Sequence, residues 1–212
     1  MKKSLILIGG GGHCGSCIEV IEAEGIYTIE GILDSPDKTD TQVLGYPVVG
    51  DDDHIEGYIE KGFYFLITIG HIKPSQKRKN LYLKLKEKGA KLATVVAPTA
   101  TVSKHATIGE GTIVLHQAFI NAGASVGNNV ILNTNCLVEH DAVICDHVHV
   151  STHAVLNGGV VIEENCFIGS NAVVVQNVTL TKEITIGAGT VVIKNISEPG
   201  IFAGNPAKPI SK

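Results

Sequence analysis

Residues 100–144 read ATVSKHATIGEGTIVLHQAFINAGASVGNNVILNTNCLVEHDAVI. Within this stretch Val102, Ile108, Val114, Ile120, Val126, Leu132, Val138 and Ile144 stand six apart. The spacing continues unbroken through Val150, Leu156, Ile162, Ile168, Val174, Leu180, Ile186 and Val192. A second column, mostly small, lies two residues earlier: Ala100, Ala106, Thr112, Ala118, Ala124, Val130, Cys136 and Ala142. A helix repeats every 3.6 residues and a half-buried strand every 2, so neither produces this column. A period of six is that of a parallel β-helix in which each hexapeptide forms one face of a prism. Three faces make an 18-residue coil, so the repeats span about five coils, each burying its apolar column only against its neighbours.

Composition agrees with a stack of small side chains. Glycine supplies 24 of 212 residues, aromatics only 5%, and tryptophan is absent. The net charge of −4 gives no electrostatic footprint for nucleic acid or an anionic membrane. No run approaches the ~20 apolar residues of a membrane helix, and the apolar opening ends too soon, in glycines, to be a signal peptide. Five cysteines without framework spacing point to a reducing, cytoplasmic setting.

Upstream of Pro98 the pattern is different. Ser4–Ile8 reads as a strand feeding Gly9–Gly12, Cys14–Glu24 as a helix, Tyr27–Leu33 and Phe63–Ile69 as strands, and Ser75–Lys88 as a basic helix stopped by Gly89. Alternating strand and helix implies a small parallel α/β sheet over residues 1–98, followed by the repeats over 99–212. Gly10, Gly12 and Gly15 fit G-x-G-x-x-G at a strand-to-helix turn, where backbone amides bind phosphate, and Asp34 ends the next strand where an acid meets a ribose or base. Cys14-x-x-Cys17 reads as small-residue packing rather than a redox pair, and Cys136 and Cys166 fall in the inward column. The cations Lys73, Lys77, Arg78, Lys79, Lys84, Lys86, Lys88 and Lys91 read as a solvated helix face, with Arg78 also a candidate ligand contact.

His140 is a candidate general base, since imidazole titrates near neutral pH, and Asp141 a candidate to orient it. Successive strand residues point to opposite faces, so this pairing requires a corner of the prism. Gly158 falls one coil after His140. Lacking a side chain, it can bring its N–H close to a ligand held above the imidazole.

The unbroken hexapeptides, NTNCLVEHDAVI, CDHVHVSTHAVLNGGV, the tail PGIFAGNPAKPI and the glycine-rich opening together resemble bacterial sugar acetyltransferases of the left-handed β-helix superfamily. These include the UDP-N-acetylbacillosamine-pathway N-acetyltransferases and the sialic acid O-acetyltransferases. The resemblance covers essentially the whole chain and implies a Rossmann-like nucleotide-sugar domain followed by a left-handed parallel β-helix. The activity it implies is acetyl-CoA-dependent N-acetylation of a nucleotide-linked, UDP-linked first of all, 4-amino-4,6-dideoxy sugar. It further implies His140 and Asp141 as the catalytic pair, Gly158 as the oxyanion donor, and His149, Ser170 and Ala188 as acetyl-CoA contacts. Gly11, Gly12, His13, Asp34 and Ser35, with Gly70 and Arg78, would hold the nucleotide sugar. A homotrimer with active sites at the subunit interfaces is also implied, and there His149, half a coil from His140, could meet a neighbour's His140. No metal and no membrane insertion are expected. O-acetylation of a sialic acid needs the same base and stays open. A γ-carbonic-anhydrase-like zinc site is disfavoured, because no two of the nine histidines are five residues apart.

Overall fold

The computed structural model describes residues 2–72, 74 and 76–210; Lys73 and Ser75 of the expected basic helix lie outside them. The amino-terminal part is built from β1 (Lys3–Ile8), α1 (Gly12–Glu24), β2 (Tyr27–Leu33), β3 (Gln42–Val43), β4 (Tyr46–Gly50), α2 (Ile55–Glu60), β5 (Tyr64–Ile67), α3 (Gln76–Glu87) and β6 (Lys91–Leu92). The sheet order is β3-β4-β2-β1-β5-β6, parallel except for the β3–β4 hairpin. The chain order reverses between β1 and β5, so their carboxyl ends flank the crevice where open α/β sheets bind ligands. Three segments escaped the sequence reading: the hairpin, whose strands are short and joined through Gly45, the two-residue β6, and α2, which is preceded by a 3-10 turn with a capping box made by Asp51 and His54.

From Val95–Val96 onward, two-residue strands recur every six residues and pair in parallel with the strand 18 residues on, as in Ile113↔Ile131, Phe119↔Leu137 and Ser125↔Val143. Three stacked sheets result. The first face runs through Val95–Val96, Ile113–Val114, Ile131–Leu132, His149–Val150, Phe167–Ile168 and Ile184–Ile186, and ends on Gly200–Ala203 and Lys208–Pro209. The second face holds Phe119–Ile120, Leu137–Val138 and Val155–Leu156; the third holds Ser125–Val126, Val143–Ile144 and Val161–Ile162. The two columns read from the sequence fill the prism in one continuous core, and Cys136 and Cys166 lie in it.

Corners between faces need the chain to turn sharply, and the third residue after each inward aliphatic does so. From Gly111 to Gly189 every sixth residue has φ between +54° and +76°. Gly, Asn and Asp visit this left-handed region most cheaply, and most of these positions carry one of them. Stacked corner side chains bond to each other: Asn129 Nδ2 lies 3.0 Å from His147 Nδ1, and Asn135 Nδ2 3.0 Å from His153 Nδ1.

The first face is covered by the amino-terminal domain. Cys14, Cys17, Ile18 and Ile21 of α1 share a core with Ile113, Leu115 and Ile131. Arg78 in α3 corrects an expectation, for it is neither solvated nor in the ligand groove. The side chain is 1% exposed, and its guanidinium donates to the carbonyls of Ile67 (2.6 Å), Ile69 (2.9 Å) and Asn129 (3.4 Å). Burial pulls its pKa down to about 10, still well above neutrality. An amphipathic basic helix hides such a residue because five donors in a planar fork can satisfy several carbonyls at once.

Truncating a core aliphatic should cost far more than truncating an outward residue of the same face. Ile144→Ala is expected to lower unfolding stability by about 2–5 kcal/mol, and Ser125→Ala to change it by less than about 0.5 kcal/mol, as read from denaturant midpoints.

Candidate active site

His140 and Asp141 sit at the edge between the second and third faces, away from the amino-terminal domain. Asp141 is the left-handed corner residue of this turn, with φ 60°. That conformation swings its carboxylate back beside its neighbour, so that Oδ2 lies 2.9 Å from His140 Nδ1. Strand alternation would forbid the contact, and the corner permits it. The Asp141 hydrogen bond lifts the His140 pKa above the ordinary 6.5; slight desolvation opposes it, and the charges of Asp141 and Glu139 add to it. With Nδ1–H held by the carboxylate, Nε2 is left to accept a proton. Glu139 was not singled out from the sequence, although 18-residue stacking places Asn121 directly below it. Its Oε2 accepts from Asn121 Nδ2 at 2.6 Å and from the His140 N–H at 3.2 Å.

Gly158 lies on the coil above. A Cβ built there would stand 2.6 Å from both Cε1 and Nε2 of His140, so any side chain would collide with the imidazole. The bare backbone and Nε2 face the same small volume.

Two adjoining cavities, of 310 and 290 Å³, occupy the crevice at the ends of β1, β2 and β5 and share Gly9, Asp34, Ile69 and Lys77. Between them they are lined by Gly11, Gly12, His13, Asp34, Ser35 and Gly70, six of the seven residues expected to hold a nucleotide sugar. Burial alone would raise the pKa of Asp34; bonds from Lys38 Nζ (2.9 Å), Ser35 N–H (2.8 Å) and Gly10 N–H (2.6 Å) outweigh it and hold the carboxylate ionised. Lys77, read from the sequence as part of a solvated helix face, instead lines the groove, and Lys38, which the sequence reading did not mark, adds a second cation. Among the described residues, no group of three or more His, Cys, Asp or Glu is arranged to hold a metal ion, and no helix is long and apolar enough to cross a membrane.

His149 points outward from the first face into the domain interface. It is 6% exposed, with Nδ1 2.6 Å from the His71 carbonyl and Nε2 3.3 Å from Asn133 Nδ2. Its ring lies against those of His71, Phe167 and His13. Within one protomer the prism therefore separates it from His140. Ser170 bonds Ser151 at 2.9 Å, and Ala188 is exposed one coil above; both lie at the edge between the first and second faces. The structure thus groups most of the expected residues in three places, the crevice, the edge carrying Ser170 and Ala188, and the edge carrying His140, Asp141 and Gly158, and leaves His149 and Arg78 buried where the amino-terminal domain meets the β-helix.

Residues 4–85 match the family model of the PglD N-terminal domain, and residues 159–194 that of the hexapeptide repeat of succinyl-transferase. A mutant of perosamine N-acetyltransferase from Caulobacter crescentus, solved in complex with CoA and GDP-perosamine, is 34% identical with a TM-score of 0.92 over 99% of this chain and 97% of that one. The chain belongs to the bacterial sugar acetyltransferases of the hexapeptide-repeat superfamily. The acetyltransferase domain of PglB from Neisseria gonorrhoeae is also 34% identical, with a TM-score of 0.90 over 99% and 100% of the two chains, and a further structure of it holds acetyl coenzyme A. WeeI from Acinetobacter baumannii, at 20% identity and a TM-score of 0.74, shares the fold. No curated protein sequence matches the chain. Like these sugar acetyltransferases, it joins an amino-terminal α/β domain to a left-handed parallel β-helix.

The domain interface of this acetyltransferase buries its histidines neutral. Neither ring nitrogen of His71 nor Nε2 of His13 has a hydrogen-bond partner among the described residues. Burial, aided by the Arg78 cation, lowers the pKa of His13 to about 4; burial likewise lowers His71 to about 2 and His149 to about 3. The unfolded chain takes up these protons near pH 6.5 and the folded one does not, so stability must fall as pH drops below 6.5. The slope is at most about 1.4 kcal/mol per histidine per pH unit. Thermal unfolding followed from pH 7.5 to 5 should show a falling Tm, and His71→Phe should flatten the slope.

Proposed function

We propose that the chain transfers the acetyl group of acetyl-CoA to the amine of a nucleotide-linked 4-amino-4,6-dideoxy sugar, with His140 as general base. The observation that carries this reading is the His140–Asp141 pair lying under the bare backbone of Gly158. The amine nitrogen attacks the thioester carbonyl carbon, and His140 Nε2 takes the proton that the nitrogen loses. The Gly158 N–H holds the resulting oxyanion. Collapse breaks the C–S bond, and the coenzyme A thiolate recovers the proton from His140. Asp141 stabilises the transient imidazolium and fixes the ring.

The crevice takes the nucleotide: the glycine turn offers amides to the diphosphate, Lys38 and Lys77 neutralise it, and Asp34 and Ser35 reach the ribose or base. One protomer holds this crevice on the side of its first face and its catalytic pair on the opposite edge. The reading therefore joins the crevice of one chain to the His140 edge of another in a homotrimer. Support comes from the outward column Phe119, Leu137, Val155, Val173 and Val191, an apolar stripe on the second face beside the His140 edge. Phe119 is 37% exposed in the single chain.

Acetyl-CoA-dependent thiol release should be measured with GDP-linked and UDP-linked 4-amino sugars, beside free sialic acid. Turnover is expected on a nucleotide-linked amino sugar, with His140→Ala lowering kcat about 10²- to 10⁴-fold. Turnover on sialic acid alone would overturn the amine assignment in favour of O-acetylation. The rate should fall as pH drops through the raised His140 pKa. In Asp141→Asn that fall should move to lower pH, because the bond that lifts the pKa is gone, and the plateau rate should drop.

A further inference from the structure

The corner column that holds Asp141 differs from the columns at the other two edges. There, residues one coil apart bond side chain to side chain, as in Asn129 with His147 and Asn135 with His153. In both pairs the amide reaches the ring one coil away. In the column of Asp141, the residues immediately below and above are Gly123 and Gly159, both in the left-handed conformation, with φ 76° and 66°. Neither offers a side chain to the Asp141 carboxylate. A Cβ built on Gly123 would stand 2.4 Å from Asp141 Oδ1 and 3.5 Å from the Asp141 backbone nitrogen. The carboxylate therefore lies in the space that a side chain at position 123 would fill, while its other oxygen bonds His140 at 2.9 Å.

We infer that Gly123 is a positioning residue for acetyl transfer: its missing side chain is what lets the Asp141 carboxylate settle against His140 rather than join a corner ladder. The inference rests on the reading of His140 as the base, and extends it to a residue one coil below that touches neither substrate nor imidazole. Conformation alone does not demand glycine here, since eight of the described corner residues between 111 and 189 are Asn, Asp or His at similar φ. An asparagine at 123 would fit the backbone and still spoil the site, for its amide would bond Asp141 as Asn129 bonds His147. Alanine would spoil it by contact. The atom it strikes is the end of a side chain, which can move, so the carboxylate and not the coil should yield.

The charged groups at His140 are few enough for its titration to report on this. Asp141 and Glu139 are the two whose charges raise its pKa. The coil above presents Gly158, and the coil below presents Ala122, whose carbonyl accepts the Asp141 N–H at 3.1 Å, and Gly123. Displacing the Asp141 carboxylate must therefore lower the imidazole pKa toward 6.5.

The test is an NMR titration of the His140 ring, assigned by its loss in His140→Ala, together with pH–rate profiles, in Gly123→Asn and Gly123→Ala. Gly111→Asn is the control, carrying the same change at a corner with φ 68° remote from the pair. Expected for both Gly123 variants is a fall in the His140 pKa, an equal shift of the acid limb of kcat/KM to lower pH, and a drop in kcat of about tenfold or more, with KM values unchanged. Gly111→Asn should leave all of these as in the parent. A His140 pKa that stays put in a folded Gly123→Asn would overturn the inference, even if the rate falls, because the loss would then be structural. A pKa that falls with no change in turnover would uphold the placement of Asp141 by Gly123 and sink the assignment of His140 as base.

Discussion

The left-handed corner is the constraint on which the rest of this molecule depends. A two-residue strand buries one aliphatic and points its neighbour outward; to repeat, the chain must turn about 120° every six residues, and it does so through a positive φ at a fixed position. Once that turn recurs without a break, residues 18 apart stack at the strand spacing of about 4.8 Å. Chemistry can then be composed vertically, from residues far apart in sequence. Asn121 under Glu139, Gly123 under Asp141 and Gly158 over His140 are all products of the same arithmetic.

That geometry also explains how residues adjacent in sequence can pair side chain to side chain. On an extended strand His140 and Asp141 would face opposite ways. At the corner, the cost of a left-handed aspartate is small, since a short polar side chain tolerates it, and the return is a 2.9 Å contact with the imidazole. Asn and His pairs at the other edges use the corner to tie coils together, whereas the His140 edge leaves glycine on both sides of Asp141. No ladder forms there, and the Asp141 carboxylate pairs with His140 instead.

Much of this was legible in the sequence because a period of six admits only one architecture. The spacing dictates the prism, the core columns, and the stacking of Gly158 on His140. Less legible were features set by tertiary contact. Arg78 sits among lysines on a basic helix, and only the packing of α3 against the β-helix shows its guanidinium buried on the Ile67, Ile69 and Asn129 carbonyls. His149 has the sequence of an outward residue, and it is outward, but the amino-terminal domain covers that face. The β3–β4 hairpin is too short for a periodic signal. The matches to perosamine N-acetyltransferase and PglB span nearly the whole chain, so both halves of the design recur together.

A single protomer carries the α/β crevice and the His140–Asp141 edge on opposite sides of one prism, and the proposed account requires them to work in trans. Co-expression of two inactive variants tests this most directly. His140→Ala lacks the base. Gly12→Tyr places a ring in the crevice from a position where an added Cβ meets nothing within 4 Å. In a cyclic homo-oligomer mixed at equal ratio, about one interface in four would join an intact crevice to an intact His140, restoring about a quarter of the parent activity. Recovery near that level is what the account predicts. Mixed oligomers as inactive as either variant alone would contradict it, and would place crevice and base in one chain.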